Sequence, residues 1–323
     1  MSKLFRPLVT AAFATLFAAP LAHAAAPDWA SVPGHEVELF YPGQSSFEWA
    51  LTPDDMSGAT DFRKGKDCAV CHIGEEKDMG PQIVTGTVRT FKTGPKPSIE
   101  PTPIAGKPGA FPATVKVAND GTNLYVHLEF NEGAQPNSNQ DPDYDTKVTV
   151  MFDNGKDPAA NRAGCWAACH DDETGMPSAN GATRTMYLAR TRAKLTRQGG
   201  GDELAPADTL ATLKASGDQL EYWQALLNPG QPAKPATEIV FDKRAAAPTN
   251  IVTADATFAG GVWSVTISRP LNAGAPFTNL AVGVPYHIAF AIHAGHTAHR
   301  FHYVSYERDL TLTASGATLT DPK

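Results

Sequence analysis

Only four cysteines occur in 323 residues, too few for the disulfide lattice that holds small secreted scaffolds together. Positive charge is also short: 27 lysines and arginines face 34 acidic residues, a net charge of -7, which disfavours a nucleic-acid partner. Beyond the N-terminus no apolar run approaches the roughly 20 residues a membrane-spanning helix needs, because charged residues, proline or glycine interrupt each one. What the chain has in quantity is 27 glycines and 26 prolines beside 42% hydrophobic residues. That profile favours many short strands and turns over long helices.

Lys3 and Arg6 precede an uncharged apolar stretch, 7–21, followed by Ala22-His23-Ala24. This is the layout of a signal peptide over residues 1–24, and about 15 apolar residues are too few to cross ~30 Å of hydrocarbon as an anchor. The expected location is the periplasm. Cleavage after Ala24 removes both basic residues and leaves 25 against 34 acidic ones, a balance of -9.

The four cysteines form two tight clusters, Cys68-Ala69-Val70-Cys71-His72 and Cys165-Trp166-Ala167-Ala168-Cys169-His170. The first is the C-x-x-C-H signature of covalent haem attachment, in which two thiols bond the haem vinyl groups and the adjacent imidazole ligates iron. The second carries one extra residue between the thiols, a rarer form of the same device. Two disulfides would not explain a histidine directly after each pair. A zinc site would use the same residues, and thioredoxin-like redox pairs are the third rival. The reading adopted is two haem c groups, attached through Cys68, Cys71, Cys165 and Cys169, with His72 and His170 as proximal iron ligands.

Near the first motif, Arg63, Lys64 and Lys66 are candidate partners for haem propionates or an ordinary solvated basic run. Gly65 and Gly164 precede attachment cysteines where a turn would let backbone approach a flat macrocycle. Trp166 suits either porphyrin contact or a core.

Residues 25–108 are loop-rich and end in a Pro-rich passage, 94–108; they read as an N-terminal haem c segment and linker. From 109 to 323 the pattern alternates. Runs 113–118 and 124–130, joined through Asn119-Asp120-Gly121, predict a hairpin. Further strands are expected at 147–152, 184–190, 219–227, 251–258, 262–268, 286–292 and 302–306, giving a mainly β fold with an antiparallel β-sandwich that carries the second haem.

A six-coordinate iron needs a distal ligand. His293, His296, His299 and His302 form the densest histidine cluster, spaced by three and so not on one strand face; a zinc or nickel clip is the rival use. His127 and His287 fall inside strands, where a packed, hydrogen-bonded imidazole is commoner than a ligand. For the first haem, His35, Met56 and Met79 are available upstream, and a methionine there would raise the potential relative to two histidines.

The sandwich pattern, the segment from Gly261 through Trp263 and Arg269 to Leu271, and the final His302-Tyr303-Val304-Ser305 resemble the haem-binding domain of ethylbenzene dehydrogenase γ-subunit type, a family that includes diheme c-type cytochromes. The likeness spans roughly residues 110–315 and extends upstream to 40–49 and 62–65. It implies that the second haem occupies the family's haem pocket with His170 and His302 as its axial pair. Where the likeness implies a histidine near residue 56 this chain has Met56, the candidate distal ligand of the first haem, with His35 and His299 in reserve.

No dedicated catalytic constellation is visible. The expected function is electron transfer between periplasmic redox proteins or from a membrane quinol-oxidising cytochrome, and the acidic surface suits a basic face on the partner. An electron-transfer subunit of a molybdenum oxidoreductase is the alternative. A diheme peroxidase or nitrite reductase type enzyme would need one iron with an open site.

Overall fold

The computed structural model describes residues 27–43, 58–87, 90–91, 94–95, 100, 102–167, 170–173, 184–186, 188–193 and 203–322. The signal-peptide reading, Met56 and Cys169 lie outside them. Side chains of 166–173 are likewise not described, so Trp166 and His170 are placed by backbone alone.

The strands in chain order are β1 His35–Phe40, β2 Thr90–Phe91, β3 Gly94–Pro95, β4 Ala110–Asn119, β5 Asn123–Phe130, β6 Thr146–Asp153, β7 His170–Glu173, β8 Arg184–Met186 and β9 Leu220–Leu227. They continue as β10 Lys234–Val240, β11 Arg244–Ala246, β12 Thr253–Ala259, β13 Val262–Pro270, β14 Pro285–Ala294, β15 Tyr303–Val304, β16 Arg308–Thr313 and β17 Gly316–Thr320. Thirteen of them make one antiparallel sheet, ordered β11-β10-β9-β6-β14-β15-β1-β4-β5-β13-β12, with β16 and β17 branching from β14. The sheet folds over so that β9 and β10 meet β12 and β13 across a shared core.

The hairpin β4–β5 turns where the sequence predicts. Gly121 takes φ +84, and the Asp120 carboxylate accepts the Thr122 and Asn123 N–H groups at 2.8 and 2.7 Å, an Asx-type closure of the turn. Run 184–190 departs from expectation. Only Arg184–Met186 is strand, and Ala189–Thr191 is a 3-10 turn, because Arg190 is drawn to the Asp218 carboxylate and the Lys156 carbonyl instead of a neighbouring strand. β1, β2, β3, β7, β10, β11, β16 and β17 were not read from the sequence. β1 pairs with β4 along its whole length, so the sheet runs across the expected boundary at residue 108.

The period of two sorts the strands onto two faces. In β14, Tyr286, Ile288, Phe290 and Ile292 enter the main core with Val148, Val150, Phe152, Trp223, Trp263 and Val265. Burying each large side chain contributes about 2–3 kcal/mol. Arg269 and Glu221, both 1% exposed, close this core with a 2.7 Å ion pair. Glu221 also accepts the Trp223 indole N–H and the Thr278 N–H, so this buried charge is satisfied.

The opposite face of the same strands carries a second apolar cluster, in which Ala289 and Ala291 of β14, Met151 of β6, and Leu220 and Tyr222 of β9 meet Cys68, Cys165, Phe40, Phe62 and Tyr306. Cys68 and Cys165, one from each motif, therefore converge on this face.

Candidate functional site

The first motif forms the short helix Cys68–His72. Cys68 and Ala69 are buried, while Cys71 is exposed. His72 Nδ1 stands 2.8 Å from a Glu75 carboxylate oxygen; with the proton on Nδ1 the lone pair lies on Nε2, the nitrogen an iron would take. The His72 ring stacks on Tyr306 at 6.2 Å and 25°, and Phe40 backs Tyr306 at 5.2 Å. Beside the motif, Val70 and Ile73 are 50% and 39% exposed, an apolar surface that a flat hydrophobic macrocycle would cover. Burial, and next the carboxyl of Glu307, push the Cys68 thiol up. The donor set and its apolar rim fit a covalently held haem.

Among the remaining candidates for this iron, Met79 is half-buried against the same cluster. His35 lies at the far end of β1 from Phe40, with Nε2 3.0 Å from Asp321, and five strand residues of about 3.3 Å each separate it from the Phe40 end. Of the basic run, Lys66 pairs with Asp61 at 3.5 Å.

The second motif starts where the chain leaves the helix Ala160–Ala163 and enters the 3-10 turn Gly164–Ala167. Gly164 has φ +63, and a Cβ there would stand 2.6 Å from the Glu307 nitrogen and 2.8 Å from the Tyr306 carbonyl carbon. Only glycine allows this approach, and it serves contact with backbone 306–307. Gly65, at φ +98, faces open space instead.

Cys165 lines a cavity of about 490 Å³ on the outer face of the sheet, together with Thr149, Tyr222, Gln224, Ala291, His293, His299 and His302. Small Ala291 opens the floor. Lys147, Arg244 and Arg300 bring cationic groups to its wall, although each also meets an acidic partner: Asp141, Glu238 and Glu100 respectively. A thiol, imidazoles, an apolar floor and cations suited to carboxylates fit a haem with its propionates.

The histidine cluster is divided by its backbone. His296 and His299 both have φ +56, left-handed positions rare outside glycine. His302 Nδ1 donates to the His299 carbonyl at 2.8 Å, and His293 Nε2 reaches the same oxygen at 2.9 Å. His296 turns away to the Asp141 carbonyl at 2.8 Å. No three His, Cys, Asp or Glu side chains among the described residues make a metal cluster, so the four histidines do not form the zinc clip. Burial, followed by neighbouring His302, holds His293 well below the usual histidine range. His127 stacks on Trp29 at 4.6 Å and bonds Thr266 at 2.9 Å, and His287 pairs with Asp309 at 3.0 Å; both are sheet residues.

Tyr306 and Glu307 were missed by sequence reasoning. The Glu307 carboxyl is fully buried with neither oxygen hydrogen-bonded. Burial pushes it up to about 8, with Asp67 and Asp309 adding and Arg308 opposing. A charged residue ending an alternating run gives no sign of this by itself.

A mainly antiparallel β chain that gathers Cys68, His72 and Cys165 on one apolar face has the donor chemistry of a c-type cytochrome. Cytochrome c-552 of Stutzerimonas stutzeri is 34% identical over 301 residues, 91% of this chain and 91% of that protein. Cytochrome c-551 of Rhodocyclus tenuis is 32% identical over 165 residues, 51% of this chain and 63% of that protein. No family model matches the chain. The chain belongs to the c-type cytochrome family represented by cytochrome c-552.

No helix among the described residues is long and apolar enough to cross a membrane.

Proposed function

We propose that the chain is a periplasmic diheme c-type cytochrome that passes single electrons between redox partners. The observation that carries this reading is the shared apolar cluster holding both Cys68 and Cys165, with Tyr306 stacked on His72 and its backbone against Gly164. Two haems attached at these cysteines would be neighbours joined through packed protein rather than solvent.

When bound, haem iron supplies the one-electron chemistry. The protein's own residues do the rest. Glu75 would orient His72, and the His299 carbonyl would orient His302, toward a bound haem, with His302 and His170 the residues that would hold the iron of the second haem. Cys71 and Cys169 complete the attachments. Met56 would hold the iron of the first haem opposite His72, with His299 and His35 as alternatives. The apolar cluster keeps water from the space between the two attachment points, which limits reorganisation on electron transfer. The likeness to the ethylbenzene dehydrogenase γ-subunit type domain supports the same pocket assignment. The redox partner is a periplasmic protein or a membrane quinol-oxidising cytochrome, met through a basic face.

The test is a pyridine haemochrome count on protein matured in the periplasm, with reduced spectra before and after carbon monoxide. Two c-type haems per chain and no carbon monoxide shift are expected. One haem would remove the diheme reading, and a shifted haem would expose an open iron and favour catalysis.

A further inference from the structure

Glu307 lies between the two haem motifs, and its side chain has no task in either. The residue is 0% exposed, and neither carboxyl oxygen meets a hydrogen-bond partner. Packing fixes its place. The ring of the preceding residue, Tyr306, stacks on His72 of the first motif. The Glu307 nitrogen sits so close to Gly164, the residue before Cys165, that a Cβ there would stand 2.6 Å from it. Tyr306, Cys68 and Cys165 share one apolar cluster. A side chain rooted at this point and shut off from solvent stays inside the packing that joins the two attachment points.

The neighbouring charges leave the carboxyl unneutralised. Arg308, at the start of β16, gives its guanidinium to the Tyr306 and Glu307 carbonyls at 3.3 and 2.8 Å, and its Nε stands 3.0 Å from Asp321. Asp309 is paired with His287 of β14 at 3.0 Å. From the first motif, Asp67 and the Cys68 sulfur act on the carboxyl; once haem is attached, that sulfur is a thioether and does not titrate. Arg162, from the helix before Cys165, donates to the Phe62 and Pro158 carbonyls. Glu75 and Glu76 add negative charge beside Tyr306, whose phenol burial holds well above its usual range. Burial pushes Glu307 itself up to about 8, the range in which a nearby change of charge alters its protonation.

We propose that Glu307 couples proton transfer to electron transfer, its carboxylate taking up one proton as the chain is reduced and releasing it on reoxidation. This rests on the proposed attachment of haem at both motifs. Ferric iron carries one more positive charge than ferrous iron, so the oxidised protein favours the Glu307 carboxylate and the reduced protein favours the carboxyl. The electron comes from the redox partner. The proton comes from hydronium or a buffer acid, whose O–H bond breaks as that of Glu307 forms. A group that binds its proton more tightly in the reduced state makes reduction harder as pH rises, between its oxidised-state and reduced-state values.

The test is potentiometric titration of the haem-loaded protein from about pH 5 to about pH 10, alongside a pyridine haemochrome count. A tenfold higher proton affinity in the reduced state is expected, read as a 59 mV fall in the midpoint potential of at least one haem as pH rises. Glu307→Gln removes the fall, Glu307→Asp, which restores a carboxyl, keeps it, and both variants retain two haems. Two haems with potentials independent of pH in the parent overturn the proposal alone. A fall that survives in Glu307→Gln also overturns it and assigns the proton to another group, such as Asp67 or a propionate. Fewer than two haems in the parent removes the diheme reading and this proposal together.

Discussion

The rings of His293 and His302 stand 4.9 Å apart at 41°, and both reach one acceptor, the carbonyl of His299. The left-handed backbone at His299 aims that carbonyl between them, so an imidazole pair separated by nine residues becomes one wall of the Cys165 cavity.

The two histidines then differ in use. His302 meets the His299 carbonyl through Nδ1, whereas His293 meets it through Nε2. On the proposed ligation, His302→Ala converts the second haem to a high-spin, carbon-monoxide-binding species, and His293→Ala leaves it low-spin. The reverse result, read by absorption and electron paramagnetic resonance, would give His293 the distal role.

On the proposed ligation, Glu75 accepts from His72 and would strengthen the bond from its other nitrogen to iron. Glu75→Gln weakens that bond. The midpoint potential of the first haem should rise by tens of millivolts, 59 mV being a tenfold change for one electron. Redox titration of the variant checks this, and an unchanged potential would show that solvent dominates at this partly exposed pair.

Glu307 gives a pH dependence of defined sign. Its folded-state value of about 8 lies above the ordinary 4.5, so the folded chain keeps a proton that the unfolded chain has released. Its contribution to stability is complete below about pH 4 and is lost as pH rises through about 8, with a slope of up to ~1.4 kcal/mol per unit. Asp67, Asp309, Arg308 and Cys68 face the same carboxyl. Urea melts between about pH 5 and about pH 8 should show a flatter profile in Glu307→Gln; an identical profile would mean that Glu307 is ionised when folded.

Arg269 and Glu221 form a fully buried pair, and removing one member strands the other. Arg269→Met should cost about 3–5 kcal/mol, measured by chemical denaturation. A loss below about 1 kcal/mol, the scale of an exposed pair, would show that water reaches Glu221 in the folded protein.

Much of the fold was legible because its signals are local. Asp120 and Gly121 specify their turn without outside help, and the alternation in 286–292 names a strand wherever it is placed. Strand β1 was missed because His35–Phe40 is fixed by pairing with Ala110–Val115, a contact across 70 to 80 residues. The 3-10 turn at Ala189–Thr191 was missed because the Asp218 carboxylate that takes Arg190 lies 28 residues further along the chain.

The sequence by itself determined the spacing within Cys68–His72 and Cys165–His170, which is covalent and short-range and on which the proposed attachment rests; no folding could alter it. Tertiary structure decided which residues surround that chemistry. Tyr306 meets His72, Gly164 meets Glu307, and His293 shares an acceptor with His302 because the sheet folds over and the period of two puts small alanines beneath the motifs. Such relations depend on long-range packing, and a linear pattern carries no record of it.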